Sequence, residues 1–192
     1  ASNLVSNTGT YVTGSIDVNV TDAASITQLA AIDALTTGTV TYSTSGITDS
    51  ASNLVSNTGS YVAAGIDVNV TDAASVAQLA AIDAANTDGS LTYTSVTDTA
   101  EILANNAGNY VNGSVDVTFT NDATISQIAL VSGSTTGDID FAISFGITDS
   151  VSNLVTNTGN YVTGSTDVNV TDAASIAQLA AIDALTTGTI TY

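Results

Sequence analysis

The feature that most constrains this chain is a repeat with a period of about 50 residues. The stretch VNVTDAASITQLAAIDALTTGTVTY, from Val18 to Tyr42, returns almost letter for letter at Val68 and at Val168. The residues that open successive repeats follow at steps of 49 and 51 residues: Ile47, Val96 and Ile147. Near-identity at such a period is typical of repeat proteins, in which each unit buries its apolar face against the next.

These markers divide the chain into four repeats. They cover residues 1–46, 47–95, 96–146 and 147–192, and the third repeat is the most divergent. Ala1 aligns with Ala51 and Tyr192 aligns with Tyr42, so the first and last repeats are cut within the pattern. The sequence therefore predicts either an excerpt from a longer array or a protomer whose ends meet identical neighbours.

Hydrophobic spacing predicts two similar halves in each repeat. In IDVNVTD, the apolar residues Ile16, Val18 and Val20 alternate with polar ones, which is the period of a half-buried strand. Val40 and Tyr42 repeat this alternation in GTVTYS. We therefore expect each half to be one strand and one helix.

The segments between these strands have helical spacing. TDAASITQLAAIDALTTG predicts a helix whose natural N-cap is Thr21 or Asp22. TDSASNLVSNTG predicts a shorter helix that is capped by Asp49 and ends in a left-handed turn at residues 57–59. A negative charge is favoured at a helix N-terminus, so we interpret one aspartate per repeat mainly as a cap: Asp22, Asp72, Asp122 and Asp172.

Strands and helices that alternate, joined by right-handed crossovers, predict an α/β solenoid. We expect one continuous solenoid, with a parallel β-sheet of about eight short strands and the short helices on one face. A coil with two sheets and one turn per repeat is the alternative architecture.

The charge composition excludes several classes of partner. The chain has 18 acidic residues, no Lys, Arg or His, and a net charge of −18. Nucleic-acid binding needs cationic side chains to release counterions from phosphates, and an anionic membrane would repel this chain. The sequence has no run of 18 apolar residues, so we expect no membrane insertion.

The residue types also argue against an enzyme. Without His, Cys, Lys or Arg, the hydroxyl nucleophiles have no ordinary base beyond aspartate. Catalytic carboxylate pairs need a single pocket with contrasting environments, whereas these acids recur in every repeat. Repetition favours a structural role.

The outward polar positions of the first strand type predict a ladder of cation ligands. Stacked repeats would bring carboxylate and amide oxygens together, and Ca²⁺ prefers such ligands. The candidate ligands are Asp17, Asn19, Asp67, Asn69, Asp116, Asp167 and Asn169. The alternative is that these residues are solvated positions of half-exposed strands, because facing carboxylates repel one another.

Two phrases carry a resemblance to a known group of proteins. ITDSASNLVSNTGTYV, present in pieces at residues 47 and 1, and VTDAASIAQLAAIDALTTGTITY, which ends at Tyr192, resemble tandem repeats of giant secreted or surface adhesin-like proteins of aquatic bacteria. The resemblance covers the whole chain. It implies an extracellular or cell-surface location and a structural or adhesive role, and it brings no catalytic residues.

Together, these observations predict a structural repeat segment of an extracellular filament or long cell-surface adhesin. Its role would be that of a stiff polyanionic rod, with calcium as a candidate stabilising ion. The expected partners are divalent cations and identical or similar repeats, end to end. The alternative function is a surface module that binds carbohydrate or ice, because the Thr-x-Thr of GTVTYS faces outward in the predicted strand.

Overall fold

The computed structural model describes all 192 residues, which form two compact units, Ala1–Thr94 and Ser95–Tyr192. The first unit contains four helices and five strands. In chain order they are α1 (Ser2–Ser6), β1 (Val18–Asn19), α2 (Ile26–Asp33), β2 (Val40–Thr41), β3 (Ile47–Asp49), α3 (Ala51–Ser56), β4 (Val68–Val70), α4 (Val76–Ala85) and β5 (Leu91–Thr92).

The second unit contains four helices and six strands. In chain order they are β6 (Ser95–Asp98), α5 (Ala100–Asn105), β7 (Asp116–Phe119), α6 (Ile125–Ser132), β8 (Ile139–Phe141), β9 (Ile147–Asp149), α7 (Val151–Thr156), β10 (Val168–Val170), α8 (Ile176–Asp183) and β11 (Ile190–Thr191). Both units thus have the predicted α/β character, with short strands and short helices along the chain.

Every strand pair is parallel, as expected, but the single sheet of about eight strands is wrong. The eleven strands form four small sheets: β1–β2 and β3–β4–β5 in the first unit, and β6–β7–β8 and β9–β10–β11 in the second. Two features of the backbone, an additional strand and a shift in pairing, account for the difference.

The additional strand is the Ile-Thr-Asp segment that opens a repeat. We expected Asp49 to lead directly into a helix. Instead Ile47 pairs with Val68 and Asp49 pairs with Val70, so that β3 lies beside β4 in parallel register. A complete repeat therefore contributes three strands, not two.

The shift in pairing separates one sheet from the next. Ile47 bridges to Ala24, which follows the end of β1 and precedes α2, and Ile147 bridges to Ala123 in the same way. Because β3 meets the preceding repeat beyond the end of β1, it does not extend the β1–β2 sheet. The β3–β4–β5 and β9–β10–β11 sheets therefore each begin anew at an Ile-Thr-Asp strand.

The longer helices begin later than predicted. Their N-caps are Ser or Thr residues, and each forms a capping box with the Gln three residues on, which satisfies N–H groups at both positions. The caps are Ser25, Ser75, Thr124 and Ser175. The prediction that Asp22 and its equivalents cap these helices is wrong.

The short helices end as predicted, in a left-handed turn. Asn57 adopts φ 43° and Gly59 adopts φ 94°, and a side chain on Gly59 would collide with the ring of Tyr61. The Asn57 side chain binds both backbone groups of Val62, with contacts of 2.8 and 2.9 Å. This clamp fixes the loop that leads to the next strand.

The core consists of alternating strand residues packed under the helices. Val20 and Leu29 are fully buried in the first unit, as are Phe119 and Leu154 in the second. The Phe119 ring packs against Phe141 with centroids 5.2 Å apart. Phe119 thus occupies the core position that Val20 has in the first repeat, and the half-buried Phe141 stands where that repeat has Tyr42.

Leu154→Ala should destabilise the protein by about 3 kcal/mol, because it removes a fully buried side chain and leaves a cavity. Leu130, also helical and in the same unit, is 57% exposed and provides the matched control. Leu130→Ala should cost less than about 1 kcal/mol. Urea unfolding followed by circular dichroism measures both, and equal losses would contradict the assigned core.

Candidate functional site

The predicted ladder aspartates lie at exposed positions, and each binds a backbone N–H. In every case the Oδ1 atom accepts the bond from the residue just before the following strand. The four bonds, 2.7–2.9 Å long, join Thr39 N to Asp17, Ser90 N to Asp67, Asp138 N to Asp116 and Thr189 N to Asp167. Each carboxylate thereby positions a strand, and its Oδ2 atom stays open to water or to an ion.

The predicted asparagine ligands form polar rows with threonines of neighbouring strands. Asn69 lies in register between Thr48 and Thr92, and its Oδ1 atom accepts a hydrogen bond from Thr92 Oγ1 at 3.0 Å. Comparable bonds of 3.1 Å join Thr41 Oγ1 to Asn19 Oδ1 and Asn169 Nδ2 to Thr148 Oγ1. These amides are therefore engaged with hydroxyl groups across the sheet.

The structure does not bring the ladder aspartates of successive repeats onto adjacent strands. Asp17 precedes β1 and Asp67 precedes β4, and these strands belong to different sheets. Asp116 opens β7 and Asp167 precedes β10, which also belong to different sheets. No group of three or more acidic side chains is arranged to hold one metal ion. Calcium binding by the ladder stays a prediction.

A groove crosses one sheet in each unit. The groove of the second unit has a volume of about 240 Å³ and is lined in part by Asp122, Asp167 and Asn169. The groove of the first unit has about 160 Å³ and includes Asp67 and Asn69. In the second unit, two predicted ligands thus share a groove with another carboxylate, and this groove is the candidate cation site.

If calcium binds in this groove, it should raise the melting temperature of the chain, and EDTA should reverse the rise. Asp167→Asn removes one ligand charge but keeps an oxygen that can accept the Thr189 N–H, so it should abolish the calcium effect without unfolding the protein. Glu101→Gln, at an exposed helix position, is the control. Melting curves that calcium and EDTA leave unchanged would reject an ordered ion.

A second set of carboxylates joins the helices of adjacent repeats. Asp149 Oδ2 accepts the N–H of Ile125, the first residue of α6, at 3.0 Å. Its Oδ1 atom accepts the N–H of Ser150 and the side-chain amide of Asn153, at 2.8 and 2.7 Å. Asp149 is only 9% exposed, and these donors, with the positive N-terminal ends of two helices, stabilise its buried charge.

The first unit repeats this arrangement at Asp49. Its Oδ2 atom accepts the N–H of Ile26, the first residue of α2, at 2.9 Å, and its Oδ1 atom accepts bonds from Ser50 N and Asn53 Nδ2. We predicted Asp49 as the cap of the helix that follows it, where Ser50 is the N-cap. The contact with the preceding repeat was not predicted.

A third set of side chains caps the short helices from across the repeat. Asp72 Oδ1 accepts the N–H of Ala51 at 2.7 Å, and Asp172 Oδ1 accepts that of Val151 at 2.6 Å. In the divergent repeat, Asn121 takes this role toward α5. Asp72 and Asp172 thus cap the helix that precedes them in sequence, not the helix that follows as we predicted. The predicted cap Asp122 is not a cap, because its Oδ1 atom accepts the N–H of Gly146 at 3.0 Å.

Backbone donors thus replace the cationic side chains that this chain lacks. Aspartates of the ladder, of the repeat junctions and of the short-helix caps all accept bonds from main-chain N–H groups. Such charge-assisted bonds are about twice as strong as neutral ones. These acids therefore stabilise the fold without a Lys, Arg or His partner.

Asp149→Asn should lower the free energy of unfolding by about 2–3 kcal/mol, because an amide cannot accept bonds on both sides as the carboxylate does. Asp140→Asn makes the same chemical change at an exposed position of the same unit. That control should change stability by less than about 0.5 kcal/mol. A loss of stability at Asp149 no larger than that at Asp140 would contradict the role of the junction.

Tyrosines form a further contact between the two repeats of the first unit. The Tyr42 hydroxyl donates to the Tyr61 carbonyl at 2.9 Å, and the two rings meet edge to face with centroids 6.1 Å apart. Burial, together with the nearby charge of Asp33, raises the pKa of Tyr42 above its ordinary value. Burial, together with the charge of Asp33, also raises the pKa of Tyr61.

Comparisons with known protein families, with curated protein sequences and with solved structures gave no match. None of the eight helices has the length and apolar character needed to span a bilayer.

Proposed function

We propose that this chain is a structural repeat segment of an extracellular filament or of a long cell-surface adhesin, and that it has no enzymatic activity. In that role the repeats supply length, stiffness and a polyanionic surface. The observation that carries the proposal is the junction between repeats: the opening strand of one repeat and its aspartate bond to the backbone of the repeat before it.

This junction is a means of adding one repeat to another. In both units the opening strand of a repeat bridges to the preceding repeat, and an aspartate then binds the N-terminus of the preceding long helix. The same parts recur at nearly the same sequence spacing, since Asp49 lies 23 residues after Ile26 and Asp149 lies 24 residues after Ile125. Each added repeat can therefore use the same contacts as the one before it. A filament or a stalk requires this property.

The surface chemistry supports the same role. The net charge of −18 has no cationic side chain to offset it, and ladder aspartates lie at exposed positions of both units. Such a surface accumulates cations, repels other polyanions and limits non-specific association. The partners that we propose are identical or similar repeats, end to end, and divalent cations held by the outward oxygens.

A ligand-binding module for carbohydrate or ice is the second candidate. It is favoured by the regular polar rows, such as Thr48, Asn69 and Thr92 across one sheet. The row is interrupted in the divergent repeat, where Asp140 replaces the last threonine. The sheet grooves, about 240 and 160 Å³, are also smaller than typical small-molecule sites of about 300–1,000 Å³.

Immunogold electron microscopy tests the proposed function. Antibodies raised against the 192-residue chain should label filaments or surface projections of the producing cells, at intervals along their length. Pre-immune serum and antibody absorbed with the purified chain are the controls. Label confined to the cell interior would reject an extracellular structural role, and saturable binding of the purified chain to a glycan array or to ice would favour the second candidate.

A further inference from the structure

The turn before β7 carries a pair of residues that the other repeats do not have. Residues 112–115 form a β-turn in which the Val115 N–H donates to Asn112 O at 3.1 Å. Thr13 and Thr163 stand at the position of Asn112 in the first and last repeats. Asn112 is the only asparagine of the chain that precedes a glycine. The third repeat therefore holds an Asn-Gly pair inside a turn.

The carbonyl of Gly113 anchors this turn to another segment. It accepts hydrogen bonds from Thr136 N at 2.7 Å, from Thr136 Oγ1 at 2.9 Å and from Thr135 Oγ1 at 3.3 Å. We call these three bonds the glycine clamp of the third repeat. They tie the turn before β7 to the segment that follows α6.

The last repeat has a glycine clamp of the same kind. Gly164 O accepts the N–H of Thr187 at 2.7 Å and the hydroxyl groups of Thr186 and Thr187 at 3.2 and 3.0 Å. The clamp is therefore a shared part of the fold, whereas the asparagine before its glycine belongs to the third repeat alone.

The nitrogen of Gly113 is open to solvent. Its N–H makes no hydrogen bond, and a side-chain carbon at this residue would meet no atom within 4 Å. Gly113 and Ser114 are both exposed. The φ angle of 56° at Gly113 is one that glycine adopts without strain. Water thus reaches the Gly113 nitrogen, and no side chain shields it.

The Asn112 side chain is held by a single hydrogen bond. Its Nδ2 atom donates to Asn109 O. By contrast, Asn106 of the same repeat binds both backbone groups of Val111 at 2.8 Å, and Ala107 follows it. The Asn112 amide can therefore rotate toward the next backbone nitrogen when one bond breaks, whereas Asn106 must break two.

We infer that Asn112 is a site of spontaneous deamidation, and that its conversion to isoaspartate opens the glycine clamp of the third repeat. The Gly113 nitrogen loses its proton to hydroxide and attacks Asn112 Cγ. A Cγ–N bond forms, the Cγ–Nδ2 bond breaks, and the released nitrogen takes a proton from water and leaves as ammonia. The product is a succinimide ring, and hydroxide is regenerated.

Water then opens the ring at one of its two carbonyl carbons. Addition at Cγ breaks the new bond and leaves an aspartate in an unchanged backbone. Addition at the α-carbonyl breaks the original peptide bond, so that the chain runs through Cβ and Cγ as isoaspartate. The backbone is then longer by one carbon, and the carbonyl that accepts the Val115 N–H leaves the main chain. Gly113 is thereby displaced from Thr136.

Mass spectrometry of the purified 192-residue chain, stored in neutral and in mildly alkaline buffer, tests the deamidation. Chymotrypsin cleaves after Tyr110 and Phe119 and releases residues 111–119. This fragment should gain about 1 Da, because OH replaces NH₂. The gain should be faster at the higher pH, since the Gly113 N–H must lose its proton. An exposed turn opens at little cost, so the rate should lie within about tenfold of that in a synthetic peptide of residues 111–119.

Asn112→Thr is the matched control, because threonine stands at this position in the first and last repeats. Its fragment should keep its mass. Asn106 is an internal control and should react more slowly than Asn112. A rate in the folded chain below about one tenth of that in the peptide, or a reaction at Asn106 that is as fast, would overturn the deamidation site.

Amide hydrogen exchange tests the effect on the clamp. In the isoaspartate form, separated from the fresh chain by anion exchange, the Thr136 N–H should exchange at least about tenfold faster. The Thr187 N–H, in the unmodified clamp of the last repeat, should exchange as before. Asn112→Asp has the same added charge in an unchanged backbone and should keep the protection of Thr136. A smaller increase at Thr136, or an equal one in Asn112→Asp, would overturn the opening of the clamp by isoaspartate.

Discussion

The bond between an aspartate carboxylate and a backbone N–H is the interaction on which this structure depends. With no Lys, Arg or His in the sequence, no cationic side chain can balance the 18 acids. Asp149 shows the solution, since it is almost fully buried yet accepts bonds from a preceding helix, its own helix and an asparagine. The positive ends of helices thus take the place of cations.

The same bond links packing to connectivity. Asp49 and Asp149 each bind two consecutive repeats, so the start of one helix is completed only when the next strand is in place. Apolar burial supplies most of the stabilising free energy, but it is not directional. The carboxylates add direction, because their oxygens must meet particular N–H groups.

Because apolar burial supplies stability and polar acceptors supply direction, the repeat tolerates substitutions that keep these two roles. The third repeat replaces an aspartate cap with Asn121 and a core valine with Phe119, and its helices and strands keep their order. An amide oxygen accepts the same N–H, and a larger ring fills the space beside Phe141. A structural array requires such tolerance, whereas a unique binding pocket would not allow it.

The sequence alone determined the repeat period, the alternation of parallel strands with helices, and the exposed positions of Asp17 and its equivalents, because these depend on local spacing. It did not reveal the third strand at Ile47, the breaks between sheets, or the second helix that Asp49 binds. In sequence, an aspartate before a helix has the same appearance whether it caps that helix or another. Its partner is Ile26, 23 residues away, and only tertiary packing decides that contact.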